Sequence, residues 1–310
     1  MTIANGSEVQ VSYITEATAG TTPATPEFTK QRITGGGGMN AIQDFITSNE
    51  IRSDRNVSDR IRVGRRTEGS YDFELSYGAF DVWLESLMQN SWSTNVLENG
   101  ITPSYFTVEE KLELGTTDQY NRYAGVQANT MSLSMQAGGL VTGSFGLMGF
   151  AEPTSAQAII TGQTYAEAPA NGVLSASNDF ASLAITGLTS PKIQSIDLSV
   201  TNNLRAQPVV GSIDGVGQGS GRFEVTGSIT MYFENADAYE LFLANTYTDL
   251  TFEVGGASTL KYEVVLSKIK FLTANTPIQG NDTDVPITLE FGAVYDSTAG
   301  NAIQITRTPA

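Results

Sequence analysis

Apolar and polar residues alternate along several segments of the chain, with the period of two that is typical of a β-strand with one buried face. The longest such segment covers residues 223–233, and shorter ones cover residues 71–76 and 196–201. A total of 31 glycines supplies turns between strands. The pattern therefore predicts a mainly β protein with many turns.

Two segments show the spacing of an amphipathic helix instead. Apolar residues recur at i, i+3, i+4 and i+7 from Phe80, and the same stripe begins at Tyr239, where Asn235 or Asp237 could act as N-cap. We expect the apolar residues of both helices to pack on a sheet. They are Phe80, Trp83, Leu84, Leu87, Tyr239, Phe242 and Leu243.

These helices mark an internal repeat. The string GSYDFELSYGAFDVWLESL from Gly69 matches GSITMYFENADAYELFLAN from Gly227, each an alternating strand, a turn and a helix. A two-strand stretch then closes each half, at 123–150 and 261–295, and upstream residues 50–57 resemble 196–204. Chance likeness between two strand-and-helix units is the alternative explanation.

The favoured interpretation is a mainly β fold of two tandem β-sandwich-like modules, each with one flanking α-helix. The first module covers residues 1–160 and the second covers residues 161–310. Loops and hairpins in residues 151–189, which are rich in Ala, Ser, Thr and Gly, are expected to link the modules.

Composition removes several classes of chemistry. The chain has no His and no Cys, which excludes a Ser-His-Asp triad, a thiol nucleophile, a zinc ribbon and a disulfide framework. The net charge of −16 argues against a protein that grips nucleic acid phosphates over its whole surface. Only 16% of residues are charged, which suggests a surface largely buried against partners. We expect no secretory signal and no membrane span.

The remaining candidate motifs favour structure over catalysis, so we expect no enzyme and no cofactor or metal. The glycine runs at 35–38 and 215–221 lack the Gly-Lys-Ser/Thr of a P-loop, and Asp282 and Asp284 lack the spacing of a calcium loop. The adjacent acids Glu109 and Glu110 would point to opposite faces of a strand, so they could not share a site. More distant carboxylate pairs stay open.

One cluster of charge is unusual. Six of the 17 basic residues fall within fifteen positions, interleaved with acids. Because the signs are mixed and aromatic residues are absent there, a protein contact is favoured over a nucleic-acid patch, with a solvated hairpin as the alternative. The cluster consists of Arg52, Arg55, Arg60, Arg62, Arg65 and Arg66.

Two long strings carry a resemblance to a known family. NEIRSDRNVSDRIRVGRRTEGSYDFELSYGAFDVWLESLM, from Asn49, resembles the first half of major tail tube proteins of long, non-contractile-tailed bacteriophages. YAGVQANTMSLSMQAGGLVTGSFGLMG, from Tyr123, is similar to the closing hairpin of that family. The resemblance covers most of the chain, and its motifs are structural rather than chemical.

The resemblance implies a structural virion protein of the phage tail, made in the host cytoplasm, with two tail-tube-like modules. In that family six modules form a ring, and rings stack into a hollow tube. Three two-module chains would then give a trimeric ring with pseudo-sixfold symmetry, and a hexamer with the second module outside is the alternative. The implied partners are other copies of the chain, a tape measure protein in the bore, tail tip and tail terminator proteins, and duplex DNA in transit.

The net acidity then predicts a bore that repels DNA phosphates and so lets DNA slide. Candidate lining residues are Asp72, Glu74, Glu109, Glu113, Asp197 and Glu224. The arginine-rich segment 52–66 resembles the family's inter-ring loop and is the candidate ring-stacking contact. Residues 2–40 are expected to be flexible before assembly. A capsid or adhesion protein of a virion, or a carbohydrate-active β-sandwich enzyme, stays open as an alternative.

Overall fold

A computed structural model describes residues 3–115, 118–150, 158–278 and 280–310. These residues are mainly β with two short α-helices, as the sequence predicts. After a 3-10 turn at Gly6–Glu8, the first half comprises β1 (Gln10–Thr15), β2 (Glu27–Lys30), β3 (Gly38–Thr47), β4 (Arg60–Glu74), α1 (Asp81–Met88), β5 (Val96–Glu98), β6 (Phe106–Leu112), β7 (Gln119–Gln136) and β8 (Thr142–Gly149). The second half comprises β9 (Thr164–Ala166), β10 (Phe180–Ile185), β11 (Ile193–Thr201), β12 (Arg205–Ala206), β13 (Gln218–Gly219), β14 (Glu224–Tyr232), α2 (Asp237–Leu243), β15 (Thr248–Gly255), β16 (Lys261–Asn275), β17 (Pro286–Ala293) and β18 (Gln304–Thr308).

Eight strands form one antiparallel sheet, which we call the central sheet, in the order β3-β4-β8-β7-β11-β14-β17-β16. Strand β11 of the second half pairs with β7 of the first half over residues 130–136 and 195–201. The sheet therefore runs unbroken from one half of the chain into the other. One face is apolar and buried, whereas the other is polar, as the period-two alternation requires.

The long strands β7 and β16 also belong to two further sheets. The start of β7 pairs with β6, which continues through β1 and β2 to β9, and the start of β16 pairs with β15 and β18. Residues 10–15 and 27–30 of the N-terminal stretch are thus strands of the first-half sheet. Residues 151–157, within the expected linker, lie outside the described residues.

Helix α1 lies in the core of the first half. The ring of Trp83 contacts Phe106 of β6 at a centroid distance of 5.8 Å and Phe145 of the central sheet at 5.4 Å. Its apolar stripe is buried, and Phe73 meets Phe80 at 4.4 Å. The buried stripe consists of Phe80, Trp83, Leu84 and Leu87.

Helix α2 differs, and the expectation that its stripe is core is wrong for two of three residues. Phe242 packs against the core, but Tyr239 is 40% exposed and Leu243 is 60% exposed. Neither Asn235 nor Asp237 is the N-cap, which is Ala236, although the Asn235 side chain accepts from the Asp237 N–H at 3.1 Å. Among the described residues, side chains of the other half of the chain form polar contacts with α1 but not with α2.

Two polar contacts from the second half reach the first residue of α1. The hydroxyl of Tyr262 donates to the Asp81 carboxylate at 2.6 Å, and Arg307 forms an ion pair with the same group. The guanidinium of Arg307 also lies 4.5 Å from the ring centroid of Trp92. The second half of the chain therefore covers the helix of the first half.

The two halves share an order of pairing. In the first half β3, β4, β8, β7 and β6 are successive neighbours, and in the second half β11, β14, β17, β16 and β15 are. The register is interrupted after Ala128 where β7 meets β8, and after Phe271 where β16 meets β17. The register is also interrupted after Phe106, where β6 meets β7, and the corresponding interruption follows Thr248, where β15 meets β16. Even the bulges correspond, although a bulge is a local departure from regular pairing.

This correspondence corrects one detail of the sequence match. Residues 50–57 were expected to be the counterpart of residues 196–204, yet they lie in the loop between β3 and β4. The counterpart of β11 is β3, because it pairs with β4 as β11 pairs with β14. Pairing places the two strands in equivalent positions although their side chains differ.

Candidate assembly surfaces

The first candidate surface is the polar face of the central sheet. Residues paired across neighbouring strands share a face, so the register defines rows of side chains. One row contains only hydroxyl and carboxylate side chains. It runs Glu74, Thr142, Ser134, Asp197, Ser228, Glu290 and Thr273.

Four of the six acids predicted to line a bore lie on this face. Glu74 and Asp197 stand in the row above, Asp72 stands in the next row opposite Ser144, and Glu224 stands opposite Thr201. Asp197 accepts a hydrogen bond from Ser134 at 2.6 Å, and Glu224 pairs with Arg222 at the strand end. Elements far apart in the chain thus bring these four carboxylates onto one surface.

The other two acids do not belong to this face, which corrects the prediction. Glu109 is 0% exposed and its carboxylate accepts from Arg122 at 2.5 Å, from Gln163 and from Tyr165. Its strand, β6, pairs outside the central sheet, and the side chain points into a polar pocket. Glu113 follows β6 and pairs with Lys111 at 2.9 Å.

Two acids of the polar face escaped the sequence analysis. Glu68 and Glu290 lie on it, and the alternation of Ile287, Leu289 and Phe291 with polar residues carried the signal for Glu290. Two basic residues on this face interact with other side chains of the same chain. Arg66 pairs with Asp44 and Glu68 at 2.7 Å each, and the Lys270 ammonium lies 5.3 Å from the ring centroid of Tyr247.

The hairpin formed by residues 42–66, which we call the arm, projects from one end of the central sheet. It carries exposed apolar side chains that the sequence analysis did not single out. Apolar residues on a projecting hairpin indicate a surface that another protein covers. They are Phe45, Ile46, Ile51, Val57, Ile61 and Val63.

The six arginines of the cluster all lie on the arm, but they are not equivalent. Arg52 pairs with Asp54 at 2.8 Å within the loop, Arg65 pairs with Asp214, and Arg66 is paired as described. Arg55, Arg60 and Arg62 form no ion pair with any residue that the structure describes. The charge of these three is therefore not matched by an ion pair within the described chain, although Arg62 lies near enough to Asp214 to help lower the pKa of that carboxyl.

The connection between β11 and β14, residues 202–223, holds in the second half the position that the arm holds in the first. We call it the strap, because it folds back on the first half instead of projecting. Asn202 donates to the carbonyls of Leu87 at 2.7 Å and Ala128 at 3.0 Å, and Gln218 donates to Met148 at 2.8 Å. The Arg65 ion pair lowers the pKa of the Asp214 carboxyl.

The central sheet has two open edges. Strand β3 pairs only with β4, and residues 273–275 of β16 pair only with β17 among the described residues. The first-half counterpart of that β16 segment starts at Thr130, directly after the matching bulge, and it is covered by β11. Open strand edges are surfaces for pairing with another chain.

Within the described ranges, no group of three or more His, Cys, Asp or Glu residues is arranged to hold a metal ion. No helix in that part of the chain has the length and apolar character to cross a membrane.

Comparison with known proteins gives one result. A family model described as phage tail tube protein matches residues 6–293, which is nearly the whole chain. No curated protein matches the sequence.

Proposed function

The chain belongs to the phage tail tube protein family, and we propose that it forms rings that stack into a tail tube with an acidic bore for DNA. Membership of the family implies a structural protein of the virion tail that assembles with copies of itself. The polar face supports the finer proposal, because it presents a row of hydroxyls and carboxylates across seven of the eight central strands.

The matching pairing order and bulges support an internal duplication, with modules over residues 1–160 and 161–310. Two β-bulges in equivalent registers are hard to obtain by chance, because each depends on one extra residue at one point of a strand. The junction of β7 with β11 is then a module–module contact inside one chain.

That internal junction is a template for the contact between chains, and it is the observation that carries the proposal. The open edge at 273–275 would take β3 of a neighbouring copy, as residues 130–136 take β11. If β3 docks in the register that β11 has inside the chain, Ala41 of one copy would lie opposite Ala274 of the next. The equivalent pair inside the chain is Val200 opposite Met131. Repetition of this contact would close a barrel without free edges.

Three chains would supply six modules and a barrel of about 24 central strands. Such a barrel would be wider than the 16–18-stranded barrels that leave an aqueous channel. The ring is then a trimer with pseudo-sixfold symmetry, and a hexamer with the second module outside is the alternative. The polar face would line the bore and its carboxylates would repel passing duplex DNA. The arm would contact the next ring.

The remaining partners follow from the tube. A tape measure protein would occupy the bore during assembly, and tail tip and terminator proteins would bind the two ends. The protein would be made in the host cytoplasm.

The open edge provides the test. Ala41 is exposed in the single chain, whereas its counterpart Val200 is buried in the internal junction. Ala41→Lys should leave the subunit folded and prevent ring closure, because closure would bury an unpaired charge. Asn40→Lys, on the opposite face of the same strand, is the matched control and should still assemble.

Purified full-length proteins would be imaged by negative-stain electron microscopy. The unaltered chain should give hollow stacked rings whose end-on averages have threefold symmetry, and Ala41→Lys should remain monomeric with an unchanged circular dichroism spectrum. Tubes of Ala41→Lys with normal yield would refute the edge contact. A sixfold average with six chains per ring would favour the hexamer.

A further inference from the structure

The end of the central sheet opposite the arm, which we call the far end, is closed in the first half of the chain. The N–H of Leu75 donates to the Val141 carbonyl at 2.8 Å, directly beyond the last paired residues of β4 and β8. Leu174 adds to this pair, because its N–H donates to Leu75 at 2.8 Å and its carbonyl accepts from Val141 at 2.9 Å. All three side chains are buried.

The second half has the same backbone arrangement without the added residue. Phe233 and Val285 lie directly beyond the last paired residues of β14 and β17, and the Phe233 N–H donates to the Val285 carbonyl at 3.0 Å. Among the described residues, nothing bonds to the Phe233 carbonyl or the Val285 N–H. Both side chains are exposed, at 41% and 43%.

We infer that the arm of a second copy of this chain, in the adjacent ring, fills this open position in the way that Leu174 fills its counterpart. The inference rests on the proposed stacking of rings into a tube. Because the arm, on β3 and β4, and the open position, beyond β14 and β17, lie at opposite ends of the central sheet, head-to-tail stacking brings one towards the other. Ile51 in the arm loop is 99% exposed and supplies an apolar side chain where Leu174 has one.

Charge supports this occupant. The arm carries three arginines without an ion pair in the described chain, and the far end of the second half carries carboxylates that also lack one. Glu234 follows Phe233, and Asp282 and Asp284 precede Val285. Opposite charges on two surfaces favour their association and fix its direction.

The numbers of arms and open positions agree. The described residues of each chain include one projecting arm, because the strap, which corresponds to the arm in the second half, is bonded to the first half. Each chain also has one open far-end position, because Leu174 closes the other. A ring would therefore offer equal numbers of arms and acceptor positions to its neighbours, whatever its symmetry.

The absence of cysteine permits a direct test by disulfide cross-linking in assembled tubes. The double variant Ile51→Cys/Val285→Cys should form a ladder on non-reducing gels that extends beyond three chains, because linked arms run from ring to ring. The control Ile51→Cys/Leu140→Cys places the second thiol at the exposed Leu140 beside the closed far end of the first half, and it should give little ladder.

Amide hydrogen exchange on the unaltered protein gives a second readout that no substitution can disturb. The Val285 amide should exchange rapidly in free subunits and become protected in tubes. Tubes with an unprotected Val285 amide, or a ladder only in the Leu140 control, would overturn the docking while leaving the tube function intact. Failure of the unaltered chain to form tubes would overturn both.

Discussion

Glu109 and Arg122 form a buried ion pair. The carboxylate is fully buried, and Gln163 and Tyr165 satisfy it further. Burial beside this carboxylate raises the pKa of Tyr165, so the phenol stays a hydrogen-bond donor. The network joins β6 and β7 to β9, and it therefore fixes the segment that follows the first half.

Removal of one charge from this network should be costly. Glu109→Gln keeps the shape but removes one charge of a buried ion pair, so the free energy of unfolding should fall by about 3–5 kcal/mol. Urea unfolding followed by circular dichroism measures this. The control Glu113→Gln disrupts an exposed pair and should cost less than about 1 kcal/mol. Equal losses for the two variants would contradict the assignment.

Asp214 gives the strap a dependence on pH. Arg65 lowers the pKa of this carboxyl in the folded state, so its contribution to stability is complete above the unfolded pKa of about 3.9. The contribution is lost as the pH falls through the lower, folded pKa. Asp214→Asn should therefore destabilise the protein at pH 7 and have a smaller effect near pH 3.

Urea unfolding at both pH values checks this, with Asp282→Asn as the control for loss of one exposed carboxylate. A destabilisation by Asp214→Asn that is the same at pH 7 and pH 3 would show that the ion pair is not its source.

Helices α1 and α2 occupy corresponding positions with different burial. Leu87→Ala should lower the free energy of unfolding by about 2–5 kcal/mol, because it leaves a cavity in a closed core. Leu243→Ala should change it by about 0.5 kcal/mol or less in the free subunit, because that side chain is mostly in solvent. Chemical denaturation of monomeric protein compares the two, and similar losses would mean that α2 is covered in solution.

At the level of elements, the sequence predicted those with strong periodicity. Strand β14 and helix α1 follow from their apolar spacing alone. Strand β3 does not, because most of its residues are exposed and its pattern Gly38–Thr47 carries little alternation. Its identity as the counterpart of β11 depends on pairing with β4, which is a contact between distant positions.

The whole molecule is acidic, with a net charge of −16, and in the proposed tube the carboxylates of the polar face would repel passing DNA. Replacing Asp72, Asp197 and Glu290 together by lysine should slow or block DNA delivery while tubes remain intact, because each lysine would bind phosphates by counterion release. Phage carrying the variant gene would be examined for tail morphology by electron microscopy and for the rate of DNA release.

The matched control replaces the same residues by Asn, Asn and Gln, which removes negative charge without adding positive charge. This variant should deliver DNA faster than the lysine variant. Added salt should reduce the difference between the two, because it screens phosphate binding. Normal infection by the lysine variant would refute an acidic bore formed by this face.

The sequence by itself determined what local periodicity and composition can encode. These are the mainly β class, the helix α1, four of the acids on the polar face and the absence of His and Cys chemistry. Side-chain alternation is a property of a single strand, so it survives without knowledge of the partners.

The tertiary structure decided everything that depends on which strands are neighbours. It buried Glu109, exposed Tyr239 and Leu243, paired β3 with β4, and bonded the strap to the first half while leaving the loop of the arm exposed. Burial and register arise from contacts between residues far apart in the chain, and one strand's own pattern does not specify its partner.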